Sequence, residues 1–214
     1  RNHESHKVEV QMDEIIEGIF GYVVRHEDID HEVNSTFVAS LDQPFLIDPM
    51  KPEVDASWFE GREPKHVFMT NRLHDRGISW FVEKFSCTVW CHESGLHEFE
   101  NMDLVVKGFQ HGDNLPCGVE ALEVGVLCPE ETAFLIPAAN GVLAIGDAFM
   151  RYGELGFVPD EYIGDDPEAV KRGLVANLRL HLERDFDAIV MAHGAPIVEN
   201  GKAMLREFLD GTGH

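Results

Sequence analysis

The chain has 214 residues, 44% of them hydrophobic and 9% aromatic, with 39 Asp and Glu against 17 Lys and Arg for a formal charge of −22. That length and apolar content can bury a substantial core in one domain spanning residues 1–214, while the acid excess makes nucleic acid and anionic membranes poor partners. No apolar run approaches the roughly 20 residues that cross a bilayer, and the opening RNHESHKVEV lacks an apolar signal core. A cytoplasmic protein acting on a small molecule is the expectation. A saline habitat would also produce such acidity, but a well-solvated surface is the simpler reading.

In chain order, VEV at residues 8–10, then GIFGYVV, STFVAS and PFLID, are strand-like runs broken by polar turns such as RHEDIDHEVN, the pattern of an antiparallel meander. His31 falls in such a turn as a solvated histidine. After Lys51-Pro52, a short helix is expected around Val54 to Phe59. His66 to Met69 is β-type and ends in a polar turn carrying Asn71, Arg72, His74, Asp75 and Arg76. Ile78, Phe81, Val82 and Phe85 then recur at i, i+3, i+4 and i+7, one buried helical stripe. A strand-to-helix turn of this kind presents polar side chains at the carboxyl edge of a sheet, where α/β proteins place their chemistry.

The turn's sequence, MTNRLHDRG, resembles the T-H-x-H-x-D-H-x-G motif of the metallo-β-lactamase superfamily, with Thr70, Asp75 and Gly77 in common. The resemblance implies zinc ligands at the motif histidines, but here Asn71 and Leu73 stand at the first two and Arg76 at the one after the aspartate. FLIDP is similar to the family's early strand leading into an aspartate. GFQHGDNL is similar to a family hairpin, with Gly112-Asp113-Asn114 as its turn.

CTVWCH reads as a buried strand in which Cys87 and Cys91 share a face and His92 points away. With no CxxC spacing, Cys87, Cys91, Cys117 and Cys128 read as reduced thiols and not as a zinc knuckle. Residues 119–150 read as three strands, with an Asn140-Gly141 hairpin between the last two. The resemblance puts the family's P-G-H-T histidine at Glu131, and its strand ending in Gly-Asp at Gly146-Asp147. RYGELGFVPDEYIG has no clean period and reads as a loop beside the cleft, offering Arg151, Tyr152 and Tyr162.

Asp166-Pro167-Glu168 signals a helix start, followed by a stripe of Val170, Leu174, Leu178 and Leu182 that leaves His181 on the surface. DAIVMAHGAPI reads as a strand and turn resembling the family's closing element, with His193 as its histidine. A last helix runs roughly from Gly201 to Leu209. The resemblance spans about residues 10 to 209 and implies an α/β (α+β) fold, a four-layer αββα sandwich of two mixed sheets.

Carried over residue by residue, the family's first metal site becomes Asn71, Leu73 and Glu131, a poor zinc set because leucine has no donor atom. The second becomes Asp75, Arg76, His193 and the bridging Asp147, three of which are ordinary ligands for one zinc, manganese or iron ion. Arg76 carries a fixed charge and no lone pair, so a metal-free centre is favoured, with Arg76 paired to Asp75 or Asp147 in place of the cation. His74 with Asp75 is the candidate catalytic pair, histidine acting as general base. The remaining cleft residues are Asn71, Arg76, Glu131, Arg151 and Tyr152. A hydrolase-like function with at most one metal results, for an ester, thioester, lactone, amide or phosphoester. The alternative is a metal-free ligand-binding or non-catalytic interaction protein. Trp58, Phe59, Trp80 and Trp90 leave room for a homodimer interface, though core packing explains them more simply.

Overall fold

A computed structural model describes residues 11–214; the predicted VEV strand lies outside the described residues. Strands β1 (Asp13–Ile16), β2 (Ile19–His26), β3 (His31–Val38) and β4 (Phe45–Ile47) form the predicted antiparallel meander. From β4 the same sheet continues in parallel through β5 (His66–Phe68), β6 (Thr88–His92) and β7 (Val106–Phe109), giving seven strands in sequence order. The short helix before β5 is a 3-10 turn at Ala56–Phe59, capped by the Asp55 carboxylate. Helix α1 (Ile78–Phe85) follows the motif turn.

The second sheet has the order β13-β10-β9-β8, with β8 (Glu120–Glu123), β9 (Thr132–Ile136), β10 (Val142–Ile145) and β13 (Ala188–Met191). The first three are antiparallel, and β10 pairs in parallel with β13. Between β10 and β13 lie a two-stranded ribbon, β11 (Met150–Tyr152) and β12 (Glu154–Gly156), and helix α2 (Pro167–His181). Helix α3 (Gly201–Gly211) closes the chain.

Period-2 alternation on the strands builds the layers. Phe45, Ile47 and Phe68 from one sheet meet Phe134, Val142, Ala144 and Val190 from the other in the central core. Their neighbours Leu46, Val67, Met69 and Val89 face outward and pack under Ile78 and Phe81 of α1. Leu143, Ile145, Ile189 and Met191 face the other way, against Leu174 and Leu178 of α2 and Leu205 and Leu209 of α3. Both faces of both sheets are thereby covered, and the expected αββα sandwich is the observed one.

Three local expectations need correction. Gly112-Asp113-Asn114 does not close a hairpin: β7 and β8 belong to different sheets, and this turn carries the chain from one to the other. The segment after Asp147 is not all loop, because Gly153 at φ +103° supplies the bend that lets β11 and β12 pair. His181 is buried at 5% exposure beside the second-sheet core; its helix is covered along a wider stripe than the leucine spacing alone marks.

Candidate functional site

The motif turn is held by hydrogen bonds that its sequence makes possible. Asn71 caps a 3-10 turn, Arg72–His74, by accepting from Leu73 N through its side-chain oxygen at 3.0 Å. Gly77 then passes against the chain at Met50–Lys51 so closely that a Cβ would lie 2.1 Å from Lys51 N. Only glycine fits there, so the turn is clamped at both ends.

Asp48, at the end of β4 with φ 45°, is the anchor beneath. Buried at 1% exposure, its carboxylate accepts from Thr70 N at 2.9 Å, Thr70 Oγ1 at 2.6 Å and His74 Nδ1 at 2.8 Å. With Nδ1 committed to Asp48, the other ring nitrogen of His74 faces Asp147 Oδ2 at 3.3 Å. His193 Nε2 meets Asp147 Oδ1 at 3.0 Å from the opposite side. Asp147 leaves β10 through Gly146, where a Cβ would stand 2.4 Å from Thr70 Oγ1 and 2.5 Å from Glu131 Oε1.

His74, Asp147 and His193 each offer a ligand atom, and these atoms lie within 4.8 Å of one another. Asp75, expected as a ligand, is not in this group; His74 takes its place. The cause is a shortened turn. The family motif leaves two residues between its aspartate and glycine, whereas here one residue, Arg76, separates Asp75 from Gly77. Counted back from the glycine, His74 occupies the ligand position. Asp75 is half-buried, and burial raises its carboxyl pKa, with Glu98 adding to the rise.

Asn71 and Glu131, two of the residues that the resemblance sets at the family's first site, are joined to each other by a hydrogen bond. The two N–H groups of Asn71 Nδ2 reach Glu131 Oε2 at 2.9 Å and Asp147 Oδ2 at 3.0 Å, while Asp147 N donates to Glu131 Oε1 at 2.8 Å. A neutral amide joining two carboxyl groups suits an asparagine, and Leu73 turns outward at 63% exposure. Burial and the nearby Asp147 push the Glu131 carboxyl up to about 8, so it keeps its proton at neutral pH.

Asp147 is held in the opposite direction: burial acts to raise it, but the adjoining His74 and His193 outweigh that and keep it well below the usual carboxylate range. Burial and Arg76 work against a charge on His74, yet Asp147 and Asp48 prevail and bring it to about 9.

Arg76 is not the ion-pair partner expected. Among the described residues it makes no salt bridge to Asp75 or Asp147, and its Nη1 is buried without a hydrogen-bond partner. Burial lowers its pKa, and the fields of Asp48 and Asp147 oppose that. Arg151 does not line the cleft; its guanidinium donates to Pro196 O at 3.0 Å and its backbone pairs with His193 O and Ala195 N, fastening the His193 turn. Arg72 instead reaches Glu130, with Glu98 at 3.6 Å. The cysteines are all unpaired, and burial pushes the Cys87 and Cys91 thiols up to about 12, so neither is a nucleophile at neutral pH.

Above the centre lies a cleft of about 1080 Å³ whose walls include Asn71, Glu131, Asp147, Tyr152 and His193. His74 sits behind it, buried at 3% exposure. His31, read as a solvated turn histidine, begins β3 and lines the cleft wall. Asp48 was missed as a site residue, although FLIDP carried the signal for it. Leu73, Val126 and Cys128 as cleft walls had no sequence signal, because they face the cavity only after both sheets have packed.

Divalent-metal chemistry in this fold family can be tested against these residues. Two imidazoles and one carboxylate form a sound donor set for a single ion with positions left open, and Asp48 accepting from His74 Nδ1 is the outer contact that orients a metal-binding histidine. Arg76 opposes a cation here, while the carboxylates of Asp48 and Asp147 favour one. The residues fit one metal and do not fit two.

No family model matches the sequence, and no curated protein matches it. Solved structures do match. A metallo-β-lactamase from Erythrobacter litoralis, solved with β-mercaptoethanol in its active site, superposes with a TM-score of 0.66 at 16% identity, covering 95% of this chain and 96% of its own. A metallo-β-lactamase family protein from Thermus thermophilus gives 0.64 at 15% identity, over 92% of this chain and 80% of its own. A third structure, of a di-iron-bound protein, gives 0.60 at 20% identity, over 81% and 92%. With two mixed sheets between helical layers and a polar centre along their common edge, this chain has the fold of the metallo-β-lactamase superfamily.

Proposed function

We propose that the protein is a hydrolase acting on a small-molecule ester, thioester, lactone, amide or phosphoester, with one divalent zinc, manganese or iron ion held by His74, Asp147 and His193. The observation that carries the reading is the convergence of those three side chains, with Asp147 and His193 in the wall of a large cleft and His74 buried just behind it. The di-iron structure among the structural neighbours supports metal chemistry on this fold. Four unpaired cysteines fit a cytoplasmic location.

When bound, an ion there supplies Lewis-acid polarisation of a scissile carbonyl or phosphoryl group and a more acidic water. The chain's own residues do the positioning. Asp48 fixes the tautomer of His74, Asn71 ties Asp147 to Glu131, and the Arg151 contacts hold the His193 turn at the cleft floor.

A second reading has its own observation. Asp48, His74, Asp147 and His193 form a continuous chain of close polar contacts, which suits a metal-independent enzyme with His193 as base, or a small-ligand binder.

Metal content by inductively coupled plasma mass spectrometry separates the two. Protein is measured as purified and after incubation with zinc, manganese and iron, beside Asp147→Asn. Close to one ion per chain, lost in the variant, is the expected result. Less than about a tenth of an ion per chain under every condition sinks the mononuclear reading.

A further inference from the structure

The cleft above the centre is apolar at its mouth and has no uncommitted cation in its walls. Ten large hydrophobic side chains stand exposed among the described residues, and five of them, Ile29, Leu73, Val126, Tyr152 and Tyr162, line this one cleft. They come from four separate parts of the chain: the β2–β3 turn, the motif turn, the loop before β9 and the segment around β11 and β12. Exposed apolar groups scattered singly need no explanation, whereas this concentration around a concave site marks a surface that is covered in use.

The charges of the walls point the same way. Arg72 is the only Lys or Arg among them, and its guanidinium is engaged by Glu130 and Glu98. The charged acidic wall residues are Asp28 and Asp147, with Glu131 protonated beside them, within a protein of net charge −22. A carboxylate or phosphate group on a substrate would find no free Lys or Arg in these walls and would enter against the field of Asp28 and Asp147. Leu73 ties this to the altered motif. The residue at the position of a zinc histidine is a leucine that forms part of the apolar mouth.

We propose that this cleft selects uncharged substrates with an extended apolar arm, a neutral ester, thioester or lactone, and rejects anionic ones. The inference rests on the hydrolase reading for its substrate class, but recognition by the cleft can be measured without turnover. Displacement of the neutral fluorophore N-phenyl-1-naphthylamine is followed for straight-chain alkyl amides of two to eight carbons and for carboxylates of the same lengths. Each added methylene is expected to tighten amide binding about fourfold, and carboxylates to bind at least about tenfold more weakly than amides of equal length. Leu73→Ser and Tyr152→Ser, both at exposed positions, are expected to flatten the chain-length dependence.

A flat amide series, carboxylates that bind as well as amides, or an unchanged slope in both variants would overturn the proposal. Turnover of neutral p-nitrophenyl esters, in metal-loaded and metal-free protein, forms a separate arm. No hydrolysis with a steep amide series removes the hydrolase reading and leaves the cleft's selectivity standing. Hydrolysis with a flat series does the reverse.

Discussion

Asp48→Asn is the most direct probe of the centre, because it changes only the two hydrogen bonds at Asp48 Oδ2 and almost no volume. In the native protein the carboxylate accepts from His74 Nδ1 at 2.8 Å and from Thr70 at 2.9 and 2.6 Å. An asparagine oxygen can still accept from Thr70 N, but its NH₂ then faces Nδ1, so the imidazole must present a lone pair there and carry its proton on Nε2. A protonated Nε2 cannot bind an ion. Losing such an outer contact costs about 10- to 100-fold in metal affinity, or about 1.4 to 2.8 kcal/mol. Competition against a chromophoric chelator measures this, and a reduced metal-induced rise in Tm provides a second readout. Zinc affinity within about threefold of wild type, in a variant that melts like the metal-free parent, would refute the assignment of His74 as a ligand oriented by Asp48.

Three further predictions follow from packing and charge. His181 is buried and neutral, its pKa held down to about 4 by burial, with Arg184 and His111 adding to the effect and Glu123 opposing it. The unfolded chain binds that proton near pH 6.5, so the contribution is complete above about 6.5 and is lost as pH falls toward 4. The loss is up to about 3 kcal/mol, and denaturant titrations of His181→Leu should show that limb flattened. Gly146→Ala forces a methyl group against Thr70 and Glu131; overpacking of about 1–3 kcal/mol should lower Tm by roughly 3–10 °C, with weakened metal uptake, and an unchanged Tm would show that the strand has room to move. Phe134→Ala removes a fully buried ring that packs against Phe68 and Phe109 in the central core, and urea unfolding should register a loss of about 3–5 kcal/mol.

Local patterns carried much of the architecture. The stripe at Ile78, Phe81, Val82 and Phe85, the Asp166-Pro167 start of α2 and the strand runs around Phe45, Val142 and Ala188 each depend on neighbours close in sequence, and each element formed where its pattern lay. The ordered resemblance of the motif turn, Gly146-Asp147 and the His193 turn likewise marked which segments converge on the sheet edge.

Which side chain of the motif turn faces Asp147 was a different kind of question. It depends on the length of the turn between Thr70 and the glycine wedged against Lys51, and a difference of one residue rotates His74 in and Asp75 out. The burial of His181, the Arg76 side chain left without an ion pair and the apolar mouth formed by Leu73, Val126 and Tyr162 arise from surfaces brought together across long sequence separations. Period and propensity, which act over a few residues, fixed the elements; the contacts between those elements determined the chemistry at their edge.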